Sequence, residues 1–380
     1  MDPDRTLTMA EALDLLPKVE LHCHVEGTMR LATLVELAAS SGHALGTAEP
    51  SELYRYDSLD GFLRLFWLAQ SCLTTRDDWA RLAYESIVDG TAHGLVYRES
   101  FFTPARHLAS GQDLEDIVLG LEDGLAAGEE ETGLAVMLIC DMDRAYGGEA
   151  GLQVVERLVD LRRRGKAERV IGVGMDSTEL GIDPAEYAGA YRLARASGLR
   201  LTAHQGENSP PSAIRYDVEV LGVERIDHGI SVLDDPAVVQ LLVDRGIPLT
   251  VCPLSNVRIA NTVQRLEDHP WPRMAAAGLH LTLNSDDPAF IRSHLGEEYA
   301  ELARAFDYGF DAMTAIALAG VDAAWLAGAE KAALRSRIST AIRSSSPARS
   351  DRPESAGLQE RTPRPADPPG RATGPSPPAR

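Results

Sequence analysis

Short apolar runs alternate along most of the chain with longer segments of helical periodicity. The apolar runs predict strands at residues 19–24, 95–102, 134–140, 169–175, 199–204, 223–227, 247–252 and 279–284. Most segments between them repeat apolar residues at helical spacing, as in residues 152–164, 184–197 and 236–245. Alternating strands and helices favour a parallel sheet with right-handed crossovers. Eight such units over about 310 residues predict an α/β fold, a (β/α)8 barrel of the TIM type.

The composition of the chain changes near Arg337. Nine of the 22 prolines lie between Pro347 and Pro378, where they are mixed with Ser, Arg, Ala and Gly and with few large apolar residues. Such a segment cannot bury enough apolar surface to offset the entropy of ordering it. We therefore expect residues 1–336 to form the barrel and residues 337–380 to form a disordered tail.

The net charge of −20, from 57 acidic and 37 basic residues, argues against nucleic acid or an anionic membrane as a partner. The four cysteines are scattered without a Cys-x-x-Cys pair, which is typical of buried thiols in a reducing compartment. The sequence shows neither a signal peptide nor the ~18 consecutive apolar residues that a transmembrane helix needs. We expect a cytoplasmic protein, and the sequence does not predict its oligomeric state.

Polar side chains that can bind a metal or move a proton follow the predicted strands. His22 and His24 are one residue apart in the first apolar run, so both imidazoles point to the same side of an extended chain. His204, His228 and Asp286 end or follow three later runs. A parallel barrel gathers the carboxyl ends of its strands at one face, where its chemistry lies. These side chains are therefore expected to lie together.

Three imidazoles and one carboxylate form a ligand set that suits a hydrolytic zinc ion. Zinc lowers the pKa of bound water from ~15.7 to ~7, so hydroxide becomes available as a nucleophile at physiological pH. A nearby base must still take and deliver protons. The side chains that would supply this ligand set are His22, His24, His204 and Asp286.

Three further residues could act beside such a metal. Glu207 follows His204 by three positions and could move protons, His228 could hold or orient hydroxide, and Asp287 could face the substrate. Each also has a structural interpretation: Glu207 as a loop carboxylate, His228 as a buried and satisfied histidine, and Asp287 before a proline as a helix N-terminal signal. Their joint occurrence at strand ends favours the catalytic interpretation.

Five segments together resemble the ordered motifs of the adenosine/adenine deaminase branch of the amidohydrolases. The resemblance runs in register from about Leu16 to Leu334, and five motifs in the right order are specific, whereas each alone would be weak. The segments are His22-Cys23-His24-Val25-Glu26-Gly27, His204-Gln205-Gly206-Glu207, Ile226-Asp227-His228-Gly229, Cys252-Pro253-Leu254-Ser255-Asn256 and Asn284-Ser285-Asp286-Asp287-Pro288.

The resemblance implies an amidohydrolase-like barrel with one zinc ion per chain, which converts a small 6-aminopurine and water into the 6-oxopurine and ammonia. It implies that Glu207 protonates the purine nitrogen N1, and that His228 and Asp286 position the hydroxide that attacks C6. The equivalent of Asp287 contacts N7, and the backbone at Gly174 lies near the N3 edge. The implied zinc ligands are His22, His24, His204 and Asp286.

The choice between adenine and adenosine depends on Glu26, because adenosine deaminases usually carry Asp there and adenine deaminases favour Glu. The longer side chain fills space that a sugar would occupy, so the expected substrate is adenine. The family usually has Ala at Gln205 and, in its adenine-acting subgroup, Glu at Asn208. A Gln amide at the pocket wall could accept another adenine or adenosine derivative, which remains an alternative. Phe102, at the end of the second strand, is expected to line the same pocket.

Three rival interpretations carry less weight. Another class of zinc deaminase pairs His-x-Glu with Pro-Cys-x-x-Cys, and this chain has no such cysteine pair. Gly172-Val173-Gly174 matches a dinucleotide-binding fingerprint only in part, since Ser177 occupies the next glycine position. A catalytically silent barrel that serves as a binding module would be expected to have lost ligand and acid/base residues, and all of them are present.

Overall fold

Eight parallel strands follow one another around one sheet in the order of the chain, which makes the fold a (β/α)8 barrel. The computed structural model describes residues 7–46, 52–54, 59–260 and 262–345. Strands that are consecutive in the sequence pair in parallel, from β1 with β2 to β7 with β8. The strands are β1 Lys18–Glu20, β2 Leu95–Phe102, β3 Ala135–Asp143, β4 Val170–Asp176, β5 Arg200–Gln205, β6 Arg225–His228, β7 Leu249–Val251 and β8 Leu281–Leu283.

The seam between β8 and β1 is closed by residues that follow these two short strands. The His24 N–H donates to the Asp286 carbonyl at 2.9 Å, and the Asp286 N–H donates to the His22 carbonyl at 3.1 Å. One step earlier, the Leu21 N–H donates to the side-chain oxygen of Asn284 at 2.8 Å. The backbone that completes the barrel therefore carries three of the predicted metal ligands.

Helices surround the sheet and connect its strands. Within the described residues the α-helices are α1 Met9–Leu15, α2 Leu31–Ser41, α3 Leu59–Ser71, α4 Arg76–Ala92, α5 Ala105–Ala109, α6 Leu114–Thr132, α7 Gly147–Arg163, α8 Ala188–Ala196, α9 Pro211–Tyr216, α10 Pro236–Arg245, α11 Pro253–Arg258, α12 Trp271–Ala276, α13 Pro288–Ile291, α14 Leu295–Phe306, α15 Phe310–Ala323 and α16 Gly328–Ser345. Helices α4 and α6 pack closely together, and a β-carbon at Gly124 would collide with the Ala80 carbonyl. Glycine therefore permits this approach of the two backbones.

The hydrophobic core lies between the sheet and the helices, and the barrel interior also contains buried charges. Arg98 donates to Glu20 at 2.7 Å, and the second oxygen of Glu20 accepts from the Ser285 hydroxyl at 2.6 Å. Arg225 donates to Glu99 at 2.7 Å. Because each of these four side chains has an oppositely charged partner, the two pairs are tolerated away from water. They link β1 to β2 and β2 to β6 beneath the face where the histidines lie.

Two boundaries differ from those predicted by the sequence. Strand β1 ends at Glu20, so His22 and His24 follow it in an extended segment instead of belonging to it. The predicted tail boundary at residue 337 falls inside α16, which continues to Ser345 because Ile338 is fully buried against the core. The remainder of the predicted tail lies outside the described residues. Among those that are described, no helix is long and apolar enough to cross a membrane.

Candidate active site

Four side chains converge at the face of the barrel where the strands end. The Nε2 atom of His22 lies 3.1 Å from Asp286 Oδ1 and 3.1 Å from the Nε2 atom of His204. The Nε2 atom of His24 lies 3.3 Å from Asp286 Oδ1 and 3.2 Å from His204 Nε2. Ligand atoms around a tetrahedral zinc ion lie about 3.3 Å apart when each bond is about 2.0 Å long. The four predicted ligands therefore fit a metal ion of this size.

The hydrogen bonds behind the imidazoles fix which nitrogen of His22 can bind a metal. Thr250 donates its hydroxyl proton to Asp227 at 2.6 Å, so its oxygen accepts the Nδ1–H of His22 at 3.0 Å. The Nε2 atom of His22 is then without a proton and free to bind a metal. Asp141 and Asp227 lie 3.6 and 3.8 Å from Nδ1 of His204 on its far side. At these distances the two carboxylates favour a proton on Nδ1 of His204, which leaves its Nε2 for a metal.

Asp286 and His228 hold their side chains in the site with a left-handed backbone. Their φ angles are 66° and 64°, a region that non-glycine residues avoid at a cost of about 1–3 kcal/mol. The second carboxylate oxygen of Asp286 accepts the Ser255 hydroxyl at 2.5 Å. The backbone conformation and this hydrogen bond together direct Oδ1 of Asp286 toward the histidines.

Glu207 lies beside this cluster at the edge of the pocket. Its Oε1 accepts a hydrogen bond from the Asn256 amide at 2.7 Å and lies 3.6 Å from Nδ1 of His228. Burial raises the pKa of Glu207 to about 8, and the negative charges of Asp286 and Glu179 act in the same direction. Glu207 is therefore suited to carry a proton near neutral pH.

The loop that carries Glu207 is held by Glu179, a buried carboxylate that the sequence did not assign to the site. Its Oε2 accepts the backbone N–H groups of Gly206 and Ser209 at 2.9 Å each, and its Oε1 accepts the N–H of Glu207 at 3.0 Å. A fourth N–H, from Asn208, lies 3.3 Å from Oε2. Four consecutive amides thus point at one carboxylate, which fixes the turn after β5.

Several buried carboxyl oxygens near the histidines have no hydrogen-bond partner among the described residues. They include Oε2 of Glu26, Oδ1 of Asp176, Oδ1 of Asp287 and both carboxyl oxygens of Asp141. The other oxygens of Glu26 and Asp176 accept the N–H and the hydroxyl of Thr103 at 2.9 and 2.5 Å. Burial raises the pKa of Glu26 and Asp287, and raises the pKa of Asp176 to about 7. Such groups can donate or accept hydrogen bonds with a polar ring.

A comparison of the sequence with protein families agrees with the barrel fold and with the cluster of histidines and carboxylates. The sequence model for adenosine deaminase matches residues 17–341, which is most of the chain and includes every residue of the cluster. The chain belongs to the adenosine deaminase family. The family assignment and the convergent ligands together identify a divalent metal site.

The relatives and solved structures that resemble this chain match it over most of their own length. An adenine deaminase of Streptomyces coelicolor is 40% identical over 298 residues, which cover 78% of this chain and 86% of that protein. The structure of an adenine deaminase from Arthrobacter aurescens matches with a TM-score of 0.81 at 34% identity, over 86% of this chain and 99% of the other. An amidohydrolase from Burkholderia ambifaria, solved with bound Zn, matches with a TM-score of 0.81 at 30% identity, over 90% and 94%.

The structure shows where three of the residues predicted to contact substrate lie in the fold, namely Phe102, Gly174 and Gln205. Phe102 belongs to the hydrophobic core, and its neighbour Phe101 packs against His22 with ring centroids 4.9 Å apart. Alternate residues of a strand face opposite sides, so Phe101 lies on the side of His22 and Phe102 on the other. Gly174 lies within β4, three residues from the Ser177 turn, and a β-carbon there would collide with the Asp141 carboxylate.

Gln205 is the third of these residues, and its amide is used by the protein. Its Oε1 accepts from Arg144 at 3.2 Å, and its Nε2 donates to the Ser209 hydroxyl at 2.5 Å. Arg144 also donates to the carbonyls of His204 and Asp176. Gln205 therefore braces the loop after β5 from behind, and its hydrogen-bonding groups do not face the pocket with the expected free donors.

Proposed function

We propose that the protein is a hydrolytic deaminase that converts adenine and water into hypoxanthine and ammonia, with one zinc ion per chain. The observation that carries the proposal is the convergence of His22, His24, His204 and Asp286 at metal-ligand spacing beside Glu207, whose pKa burial raises to about 8. Relatives at 30–40% identity that bear the name adenine deaminase support the choice of substrate. We expect such a purine enzyme to act in the cytoplasm.

The residues divide the chemical work between proton transfer and positioning. When bound, zinc supplies a Lewis acid that makes water a nucleophile at neutral pH. Glu207, in its acid form, donates a proton to N1 and so makes C6 more electrophilic. His228 orients the attacking water, and Asp286 holds it from the opposite side. The water oxygen bonds to C6, one of its protons passes to the departing amine and the other restores the acid form of Glu207, and the C6–N bond breaks to leave ammonia and the 6-oxopurine.

The unpartnered carboxyl oxygens account for recognition of the purine ring. Asp287 offers Oδ1 to N7, and Glu26 offers Oε2 where N9 of a nucleoside would carry ribose. Glu26 is only 2% exposed and is fixed by the Thr103 N–H, so a sugar could not displace it at low cost. A free base, which carries a hydrogen at this edge, satisfies a buried carboxylate instead.

Adenine is expected to be deaminated with a kcat/KM at least about 10²-fold above that of adenosine, since the nucleoside must displace Glu26. The test is the ultraviolet change of the purine together with ammonia release, on protein whose zinc content has been measured. N6-methyladenine belongs in the same panel, because an open groove beside Glu207 is lined by Asn208, Ile230 and Thr262 and could hold a substituent on the amine.

Shortening Glu26 provides the matched variant for this test. Glu26→Asp is expected to shift the adenine/adenosine ratio toward adenosine by about tenfold, which is the effect of one methylene in a shaped pocket. Glu219→Asp, at an exposed position, serves as the control and should leave the ratio unchanged. A preference for adenosine in the unmodified protein would contradict the sugar-excluding role. Bound zinc without turnover of any purine in the panel would support a catalytically silent barrel.

Removing one oxygen acceptor of Glu179 should loosen the Glu207 loop without changing the metal site. Glu179→Gln places a side-chain NH2 group against backbone N–H groups, which cannot accept a hydrogen bond from it. Hydrogen exchange of the backbone amides at residues 206–209 should therefore accelerate, and kcat should fall about 10- to 100-fold. Mass spectrometry of exchanged peptides and steady-state kinetics measure both effects. Glu186→Gln, an exposed neighbour, is the control. Unchanged exchange at 206–209 would show that Glu179 does not hold the loop.

A further inference from the structure

A chain of hydrogen bonds reaches Glu207 from a buried histidine, His269, outside the set of predicted site residues. His269 is 3% exposed and lies between Leu266 and α12. Its Nε2 lies 3.2 Å from Oδ1 of Asn256, whose Nδ2 lies 2.7 Å from Oε1 of Glu207. Asn256 is fully buried, so each polar atom of its amide needs a partner within the protein.

A backbone N–H at the His269 end fixes the donor-to-acceptor direction of this series of hydrogen bonds. The N–H of Trp271 can only donate, and it donates to Nδ1 of His269 at 3.0 Å. Nδ1 must therefore offer a lone pair, which leaves the hydrogen of the neutral ring on Nε2. Burial lowers the pKa of His269 to about 4, with the nearby His228 acting in the same direction, so the ring is neutral at pH 7.

The orientation of the Asn256 amide follows from this tautomer. The Nε2–H of His269 requires an acceptor, so Oδ1 of Asn256 faces His269 and Nδ2 faces Glu207. The reverse orientation would oppose N–H to N–H at one end and oxygen to oxygen at the other. The second hydrogen of Nδ2 points toward Nδ1 of His228 at 3.3 Å. One amide thus donates to both residues that flank the metal ligands.

We propose that His269 and Asn256 are positioning residues that determine which oxygen of Glu207 carries the acid proton. Since Oε1 accepts from Asn256, the proton of the acid form resides on Oε2, the oxygen left free for the substrate. Nδ1 of His228 accepts in the same way, so its hydrogen lies on Nε2. This inference rests on the proposed deaminase function for its kinetic consequences, whereas the hydrogen-bond directions themselves do not.

The kinetic test measures kcat and KM of the zinc-loaded protein for an isosteric variant of Asn256 and for two variants of His269. Asn256→Asp still accepts from His269 but draws the Glu207 proton onto Oε1, so kcat for adenine should fall about 10²-fold while KM changes less than about threefold. His269→Leu should reduce kcat similarly, and His269→Gln, whose amide can donate to Asn256, should recover at least about tenfold of it. A kcat for Asn256→Asp within about threefold of the unmodified protein would overturn the proposal.

His280→Leu is the control for loss of a hydrogen-bonded imidazole away from the site. His280 donates to the Ala319 carbonyl at 3.0 Å just before β8 begins, at the end of the barrel opposite the site. Its kcat should stay near that of the unmodified protein even if its melting temperature falls. A loss of kcat in His280→Leu equal to that in His269→Leu, at equal zinc content, would show that both act only through stability.

A spectroscopic measurement tests the hydrogen-bond chain independently of turnover. Nitrogen-15 NMR of histidine-labelled protein at pH 7 should show His269 as a neutral ring with its proton on Nε2, assigned by loss of the signal in His269→Gln. A proton on Nδ1, or a charged ring, would overturn the proposal. If no 6-aminopurine is deaminated while the Nε2–H tautomer is observed, the proposed function fails and the hydrogen-bond chain stands.

Discussion

Glu207→Gln is expected to reduce turnover of adenine by about 10³-fold, because it removes the proton donor and leaves the nucleophile in place. The amide oxygen of glutamine can still accept from Asn256, so the side chain should keep its position. Zinc content and melting temperature should therefore match those of the unmodified protein. Steady-state kinetics with metal analysis measure both quantities. A variant that retains a rate within about tenfold would show that another residue delivers the proton.

Asp286→Ala should abolish metal binding and activity together. The substitution removes the carboxylate that lies 3.1 Å and 3.3 Å from the two histidines after β1, and leaves three imidazoles with an open side. Metal analysis should find less than about one tenth of the zinc in the unmodified protein, and turnover should fall to a similar or greater extent. Asp244→Asn, on the exposed face of α10, is the control for loss of one carboxylate.

Chelation of the unmodified protein provides the reversible counterpart of this variant. Removing the metal with a chelator should abolish turnover, and adding zinc should restore it, whereas Asp286→Ala should not recover at the same zinc concentration. Protein that is free of metal by analysis and still deaminates adenine would contradict the role of the four-ligand site. This result would leave the family assignment unchanged.

The fold could be predicted from the sequence because a (β/α)8 barrel repeats one local pattern. Each strand is an apolar run followed by a helical segment, and residues at the ends of parallel strands must meet at one face. That rule brought His22, His204 and Asp286 together correctly without any long-range information. The end of the first strand was predicted too far along the sequence, since β1 stops at Glu20 and the chain remains extended beyond it. An extended segment has the same side-chain alternation whether or not it belongs to a ladder.

The parts of the site that the sequence did not reveal depend on contacts between distant, irregular segments. Glu179 lies 28 residues before Glu207, with which it pairs through backbone amides that leave no pattern of side chains. His269 lies 13 residues after Asn256, across a segment without regular periodicity. The side on which Phe102 faces is difficult to predict for a different reason, because a shift of one residue in a strand exchanges its two faces. Local patterns therefore predict where ligands gather and not which groups orient them.

The seam between β8 and β1 has a consequence for the way the barrel is held closed. Residues that follow the first and the last strand meet there. Leu21 and Asn284, which are hydrogen-bonded across the seam, are 263 residues apart in sequence. A metal bound by His22, His24 and Asp286 would act as a cross-link over this distance, and its binding energy would add to the stability of the folded state. Closing so long a loop is costly in chain entropy. The ion that activates water would thus also hold the first strand of the barrel next to the last.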